Sequence, residues 1–322
     1  MRKNLKSLDI LKYILSLFVV TIHCWICPKI EIIFIKNTLL SLISIAVPIF
    51  FIISSFLLFK QCQKKNWDIS CIIKNIKRIF ILYTIWSILY AVFYNSSIKT
   101  FLHNYLFWGH EHLWFLWSML YVMPLIFFLK VKGMSSNKIL ILGLLAYFLN
   151  RLYTHYCSIE TPPWFIPTFL VDNFLNRSFN LTGIFLATTY ISIGLYLATN
   201  GILQNKKILI ALFVLGGIET YIEEHHAVAL GLPALSLSIF CFIYNLNDIF
   251  DNIVTERQSI ALRNMSTFIY LIHNEIISII NKFISSFSFN GWLIIICTCM
   301  LAGMIFIKLM AVRKFALLNR LI

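Results

Sequence analysis

Charge is scarce in this chain, and negative charge scarcest: 13 Asp and Glu stand against 27 Lys and Arg, and charged residues make up 12% of 322 positions. A soluble domain of this length cannot cover its surface with so little polarity, so the soluble globular classes are excluded. The eight cysteines (Cys24, Cys27, Cys62, Cys71, Cys157, Cys241, Cys297 and Cys299) lack paired metal-ligand spacing. Cys24 to Cys27 has the C-x-x-C form, but no βαβ pattern surrounds it, so neither a redox pair nor a metal site is expected. There is no low-complexity tract and no convincing repeat, which leaves inverted-repeat transporter architecture without support. The first apolar run has charges at its head and no small-residue cleavage site, so it reads as a retained span and not a removed signal peptide.

What is present is apolar sequence: 60% hydrophobic residues with a mean hydropathy of +0.83. The expected fold class is all-α, a polytopic transmembrane helix bundle forming a single domain over 1–322. About ten spans are expected, at 10–27, 38–59, 79–97, 113–130, 139–157, 181–199, 208–224, 228–246, 266–284 and 291–310. The net charge of +14 could point to nucleic acid, but the basic residues fall in short clusters between apolar runs, as cytoplasmic loops facing anionic lipid do. No nucleic-acid partner is therefore expected. With both termini cytoplasmic, only Lys29, Lys36, Lys99, Arg151, Arg177 and Lys282 fall outside. That asymmetry sets the predicted orientation of a multi-pass protein of the cell inner (plasma) membrane.

The stretch Ser7–Trp25 carries ionisable groups into an apolar segment, with Asp9 and Lys12 at its head and His23 near its end. As a helix it places Lys12 and His23 on one face, roughly 16 Å apart along the axis. Intramembrane ionisable groups are costly and mark function by default. A membrane histidine can also simply bond a neighbouring helix, and Lys12 can snorkel as a positive-inside marker.

The predicted topology gathers further polar groups on the outer half: Glu111 and His112 at the mouth of the fourth span, Glu219 inside the seventh, and Glu223, His225 and His226 beyond it. His273 falls nearer the middle of the ninth. A histidine beside a carboxylate suits general-base work, and Glu219, within an apolar run, is the favoured partner for His23. Its structural alternative is a buried hydrogen bond. On the inner side Lys74, Lys77 and Arg78 can hold phosphates or serve only as positive-inside residues. The outer segment from Thr161 to Asn180, with Trp164, Asn176 and Arg177, suits either an interfacial piece or an anchored loop.

Together these residues resemble the acyltransferase-3 family of integral membrane acyltransferases. Its first helix carries an acid, then an arginine, ten residues and a histidine; Asp9, Lys12 and His23 give D-x-x-K-x10-H. Ala46–Phe56 is similar to the family's V-P-x-F-F-x-x-S-G stretch, His112–Phe115 to its H-L-W-Y/F, Gly183–Phe185 through Gly194 to its G-I/L-F segment, Glu219 to its seventh-helix acid, and Tyr270–His273 to its Y-L-x-H. Three departures stand out. Lys12 replaces arginine and loses the bidentate fork. Ser55 stands where glycine is common, and Leu181 where an arginine often stands, with Arg177 one turn earlier.

The resemblance implies O-acyl transfer, usually acetyl, from cytoplasmic acetyl-CoA as co-substrate to a glycan or other hydroxyl acceptor, with no metal. In that reading His23 and Glu219 are catalytic. Lys12, Asp9 and Arg78 serve the CoA, while His112, Arg177 and His273 serve the acceptor or the oxyanion. His23 acts as base or becomes acylated itself. The acceptor expected is a cell-envelope polysaccharide or its precursor; the alternatives are a small amino-acid or metabolite hydroxyl, or a transporter or flippase using Lys12, His23 and Glu219 as a relay.

Overall fold

The computed structural model describes residues 5–24, 26, 30–109, 111–157, 180–223, 228–286 and 288–310, and among these there are helices and turns but no strand. The chain forms two compact units whose boundary falls inside a helix, between Phe50 and Phe51.

The first unit holds α1 (Lys6–His23), α2 (Ile33–Ser44), the start of α3 (Ala46–Lys64), α9 (Lys206–Ile222), α10 (Leu232–Asn245), α11 (Asn247–Ile253), α12 (Glu256–Ile280) and α13 (Phe289–Met310). Its axis is the α1/α12 pair. Asp9 meets Ser259, the Lys12 carbonyl meets Ser266, and His23 meets His273, so the two helices run parallel. Fourteen residues separate Asp9 from His23 and Ser259 from His273, which keeps the seam in register. Apolar positions beside the seam, Val20, Cys24, Met265, Ile269 and Ile277, share a core with Ile295 and Cys299 of α13. Helix α9 meets α10 backbone to backbone: a Cβ on Gly216 would lie 2.7 Å from the Gly231 carbonyl oxygen, and one on Gly231 only 2.5 Å from that of Gly216. Where lipid tails give helices no hydrophobic reason to associate, such close approach of small residues supplies the contact.

The second unit holds the rest of α3, then α4 (Ile69–Phe93), α5 (Ile98–His103), α6 (Trp114–Val131), α7 (Ser136–Cys157), α8 (Leu181–Asn200) and the short segment 228–230. Helices α7 and α8 pack through Gly143, whose carbonyl accepts from Thr189 Oγ1 at 2.9 Å. Ser55, the serine that departs from the family's glycine, is fully buried, donates to the Phe51 carbonyl at 2.7 Å and packs on Gly194. A Cβ on Gly194 would lie 1.9 Å from the Ser55 Oγ, so the serine fits because the facing residue is glycine.

Each expected span overlaps a helix, the second of them two (α2 and α3), and several ends shift. The third was expected from residue 79, yet α4 starts at Ile69, because Asp68 caps it by accepting from the Ser70 N–H at 3.2 Å. Lys74, Lys77 and Arg78 are thereby helical. The ninth was expected from 266, yet α12 starts at Glu256, fixed by a Thr255–Gln258 capping box. Five stretches among the described residues are long and apolar enough to cross a membrane: Ile33–Lys64, Ile69–Phe93, Ile98–Val131, Leu181–Asn200 and Phe289–Met310. The pair Leu232–Asn245 and Asn247–Ile253, bent by 50°, passes the same test taken together, as a broken span or a re-entrant segment. Helix α1 carries Lys6, Asp9 and Lys12, and α12 carries Glu256, Arg257, Arg263 and Glu275, so polarity and not length sets these two apart. Much of that polarity lies on the shared seam.

Candidate active site

The seam begins at Asp9, which is 4% exposed. Its Oδ2 accepts from Ser259 Oγ at 2.7 Å and lies 3.8 Å from Arg263 Nη1, while its Oδ1 lies 3.9 Å from Lys12 Nζ. One buried carboxylate thus holds two cations at the head of α1. Around it Ser7 donates through both its N–H and its hydroxyl to Asn247 Oδ1, Asn247 Nδ2 donates to Asp251 Oδ2, and Lys6 Nζ donates to the Asp251 carbonyl at 2.9 Å. This network ties α1 to α11 and α12 through groups that a purely apolar interface would lack.

At the other end of the seam lie two histidines. The His23 and His273 rings are 4.9 Å apart, centroid to centroid, and tilted by 54°. His273 is fully buried, and its Nδ1 sits 2.7 Å from the Tyr270 carbonyl oxygen. A carbonyl only accepts, so Nδ1 carries hydrogen and, in a neutral ring, Nε2 carries the lone pair. Nearby, Trp292 Nε1 donates to Thr21 Oγ1 at 3.2 Å, an aromatic with a polar handle at the end of the span expected to face outward.

Glu219 sits at the α9/α10 junction, where its Oε2 accepts from the Gly231 N–H at the start of α10. A carboxylate on a helix N-terminus satisfies an otherwise orphaned donor and faces the positive end of the dipole. That contact gives Glu219 a part in joining α9 to α10.

His112 belongs to the second unit. It is 3% exposed, lies in a single 3₁₀ turn (Glu111–Leu113), and its Nε2 is 3.0 Å from Tyr90 Oη of α4. The turn is tight: Gly109 has φ +74°, and a Cβ there would meet the Trp114 Cα at 2.3 Å. Arg78 is exposed on α4. Arg177, His225 and His226 lie outside the described residues, as does most of 161–180.

The structure therefore brings Asp9 and Lys12 together at one end of the seam and His23 and His273 at the other, while His112 pairs with Tyr90. Sequence reading missed Arg263, Ser259 and Ser266. Their signal is present: Ser259, Arg263, Ser266, Tyr270 and His273 recur every three or four residues, one polar stripe on an amphipathic helix. It also missed Glu275, both of whose carboxylate oxygens are buried. No cluster of three or more His, Cys, Asp or Glu able to hold a metal occurs among the described residues.

Helices long and apolar enough for membranes, and a buried polar seam ending in paired imidazoles, define a multi-pass membrane protein with chemistry-bearing groups inside it. A family model described as an acyltransferase domain, that of the acyltransferase-3 family, matches residues 5–309, and the chain belongs to that family. Membership implies acyltransferase activity. No curated protein and no solved structure matches the chain.

Proposed function

We propose that this protein is a membrane O-acetyltransferase that moves an acetyl group from cytoplasmic acetyl-CoA to a hydroxyl of a cell-envelope polysaccharide or its precursor, in the inner membrane. The observation that carries the reading is the His23–His273 ring pair at one end of the polar seam, on a chain whose family transfers acyl groups. His23 removes the proton of the acceptor hydroxyl, and the oxygen attacks the thioester carbonyl. The tetrahedral oxyanion then expels the CoA thiolate, which takes up the proton held by His23. His273, its tautomer set by the Tyr270 carbonyl, orients the His23 ring.

Lys12 and Arg78 are assigned to the CoA donor, and Asp9 holds Lys12 in place. His112 and Arg177 are assigned to the acceptor or the oxyanion. For Glu219 the contact with Gly231 favours a positioning role over direct proton transfer. Ten spans with cytoplasmic termini complete the proposal, supported by the distribution of Lys and Arg.

The test uses purified protein in lipid, radiolabelled acetyl-CoA and a panel of glycans and small hydroxyl compounds. His23→Ala is expected to abolish transfer while the protein still accumulates; near-normal acetylation by that variant would sink the assignment. Label passing to an amino-acid or metabolite hydroxyl and to no glycan would overturn the acceptor class while leaving the reaction.

A further inference from the structure

In the second unit a cavity of about 450 Å³ opens where α3 gives way to α4 and α6 to α7. Trp67, Lys130, Ser135, Ser136, Asn137 and Thr199 are among its lining residues. Its described lining contains one cation, several hydroxyls and carboxamides, and no carboxylate. Lys130 Nζ donates to Ser136 Oγ at 3.1 Å and stands 5.8 Å over the Trp67 ring. Thr199 Oγ1 reaches the same serine oxygen at 2.8 Å.

The backbone beside the cavity is strained. Helix α3 ends with Asn66 N–H on the Gln63 carbonyl and Trp67 N–H on the Cys62 carbonyl, so Asn66 takes the left-handed position of a Schellman turn. Asparagine tolerates that position. Trp67, however, also has a positive φ of 60°, costly for a bulky residue and found where surrounding packing imposes it. The Trp67 ring packs beside Phe59 and Phe127, each about 6 Å away centroid to centroid. In this turn the ring lies beneath the Lys130 ammonium at the cavity wall.

The charge around the opening is predominantly positive in sequence: Lys60 and Lys64 lie near the end of α3, Lys65 just beyond it, and Lys132 and Lys138 follow Lys130. The adjacent acid, Asp68, caps α4, and the Ser70 hydroxyl and N–H hold its carboxyl below the usual carboxylate range, so it stays ionised and offsets one of these positive charges. An anion with hydrogen-bonding edges fits such a lining. The volume lies within the range of small-molecule sites, roughly 300–1,000 Å³. All of these loops fall on the side expected to be cytoplasmic.

We propose that this cavity binds the phosphate-bearing nucleotide end of an acyl-CoA donor, a proposal that rests on the acyl-CoA reading above. Lys130 pairs with phosphate. The Asn137 and Asn200 amides and the Trp67 ring suit a purine's edge and face. A membrane lipid offers the same phosphate without the base, and the test separates the two.

The full chain in nanodiscs of zwitterionic lipid is titrated with radiolabelled adenosine 3′,5′-bisphosphate, a readout that needs no turnover. Lys130→Gln is expected to weaken binding about tenfold, the loss of one charge-assisted contact. Lys130→Arg keeps it, Asn137→Asp weakens it by adding negative charge, and Lys99→Gln, on α5 at the side expected to be outside, leaves it within about twofold. Matched thermal midpoints establish that the variants are folded. Wild-type affinity in both Lys130→Gln and Asn137→Asp overturns the site. Displacement of the bisphosphate from wild type by phosphatidylglycerol but not by CoA also overturns it, in favour of lipid phosphate. His23→Ala is expected to lose transfer yet keep bisphosphate binding. Lys130-dependent binding in a protein that transfers no acyl group defeats the acyltransferase mechanism alone and leaves the nucleotide site standing.

Discussion

Asp9 is buried between two cations, and that arrangement changes what the lysine at the head of α1 means. A lysine cannot reproduce an arginine's planar fork, but here a guanidinium from α12 reaches the same carboxylate, so the lysine does not carry the positive charge alone. Asp9→Asn leaves Lys12 and Arg263 near each other without their shared counter-ion and weakens the Ser259 bond. The expected cost is about 1.5–3 kcal/mol, read as a lowered unfolding midpoint in detergent, because hydrogen bonds to charged groups are worth more than neutral ones. An unchanged midpoint would make the α1/α12 junction dispensable. Lys12→Arg is expected to retain activity, and Lys12→Ala to raise the acyl-CoA concentration needed for half-maximal transfer. Unchanged acyl-CoA dependence in the alanine variant would remove Lys12 from the site. Of these residues Asp9, Lys12 and His23 were legible because they lie on one helix. Arg263 was not, because 254 residues separate it from Asp9 and only the fold closes that distance.

Helix packing in this chain is written in small residues. A Cβ at Gly143 would lie 1.9 Å from Ser192 Oγ and 2.8 Å from its Cβ, with the Thr188 carbonyl oxygen next at 3.2 Å. Gly143→Ala should therefore destabilise the α7/α8 pair by about 1–3 kcal/mol, the usual penalty for overpacking. Ser192→Gly removes the two offending atoms, so the double variant is expected to recover most of the loss, and a double-mutant cycle on thermal midpoints measures the coupling. Additive penalties would mean that the backbones separate instead. Helix existence was readable from hydropathy alone, since long apolar runs have few alternatives in a bilayer. Helix ends were not. Asp68 and Thr255 start α4 and α12 about ten residues before the apolar signal does, through local bonds that hydropathy does not register. Glu219 illustrates the same limit: its place in an apolar run was visible, whereas its engagement with the Gly231 N–H depends on how α9 turns into α10.

For the whole molecule, the sharpest open choice is whether α9 and α10 cross the membrane as two spans or dip in and return. Helix α9 has 17 residues and α10 has 14 before the bend into α11. At 1.5 Å per residue these are roughly 25 Å and 21 Å long, against a hydrocarbon core of about 30 Å. The shortfall can be met by α11, which prolongs α10, and by local thinning of the bilayer. Reporters placed after Val254 cannot distinguish the cases, because removing two crossings leaves the parity unchanged. A reporter after Glu223 can. If both helices cross, a phosphatase fused there is active outside and a fluorescent protein fused there is dark. Fusions after Asn66, Met134 and Gln204 fluoresce, and those after Ser97 and Ser286 show phosphatase activity. Fluorescence after Glu223 with the others unchanged would reduce the bundle to eight crossings and put the Glu219–Gly231 junction on the cytoplasmic side. Glu219 would then lie on the side where the donor waits and not where the acceptor is expected.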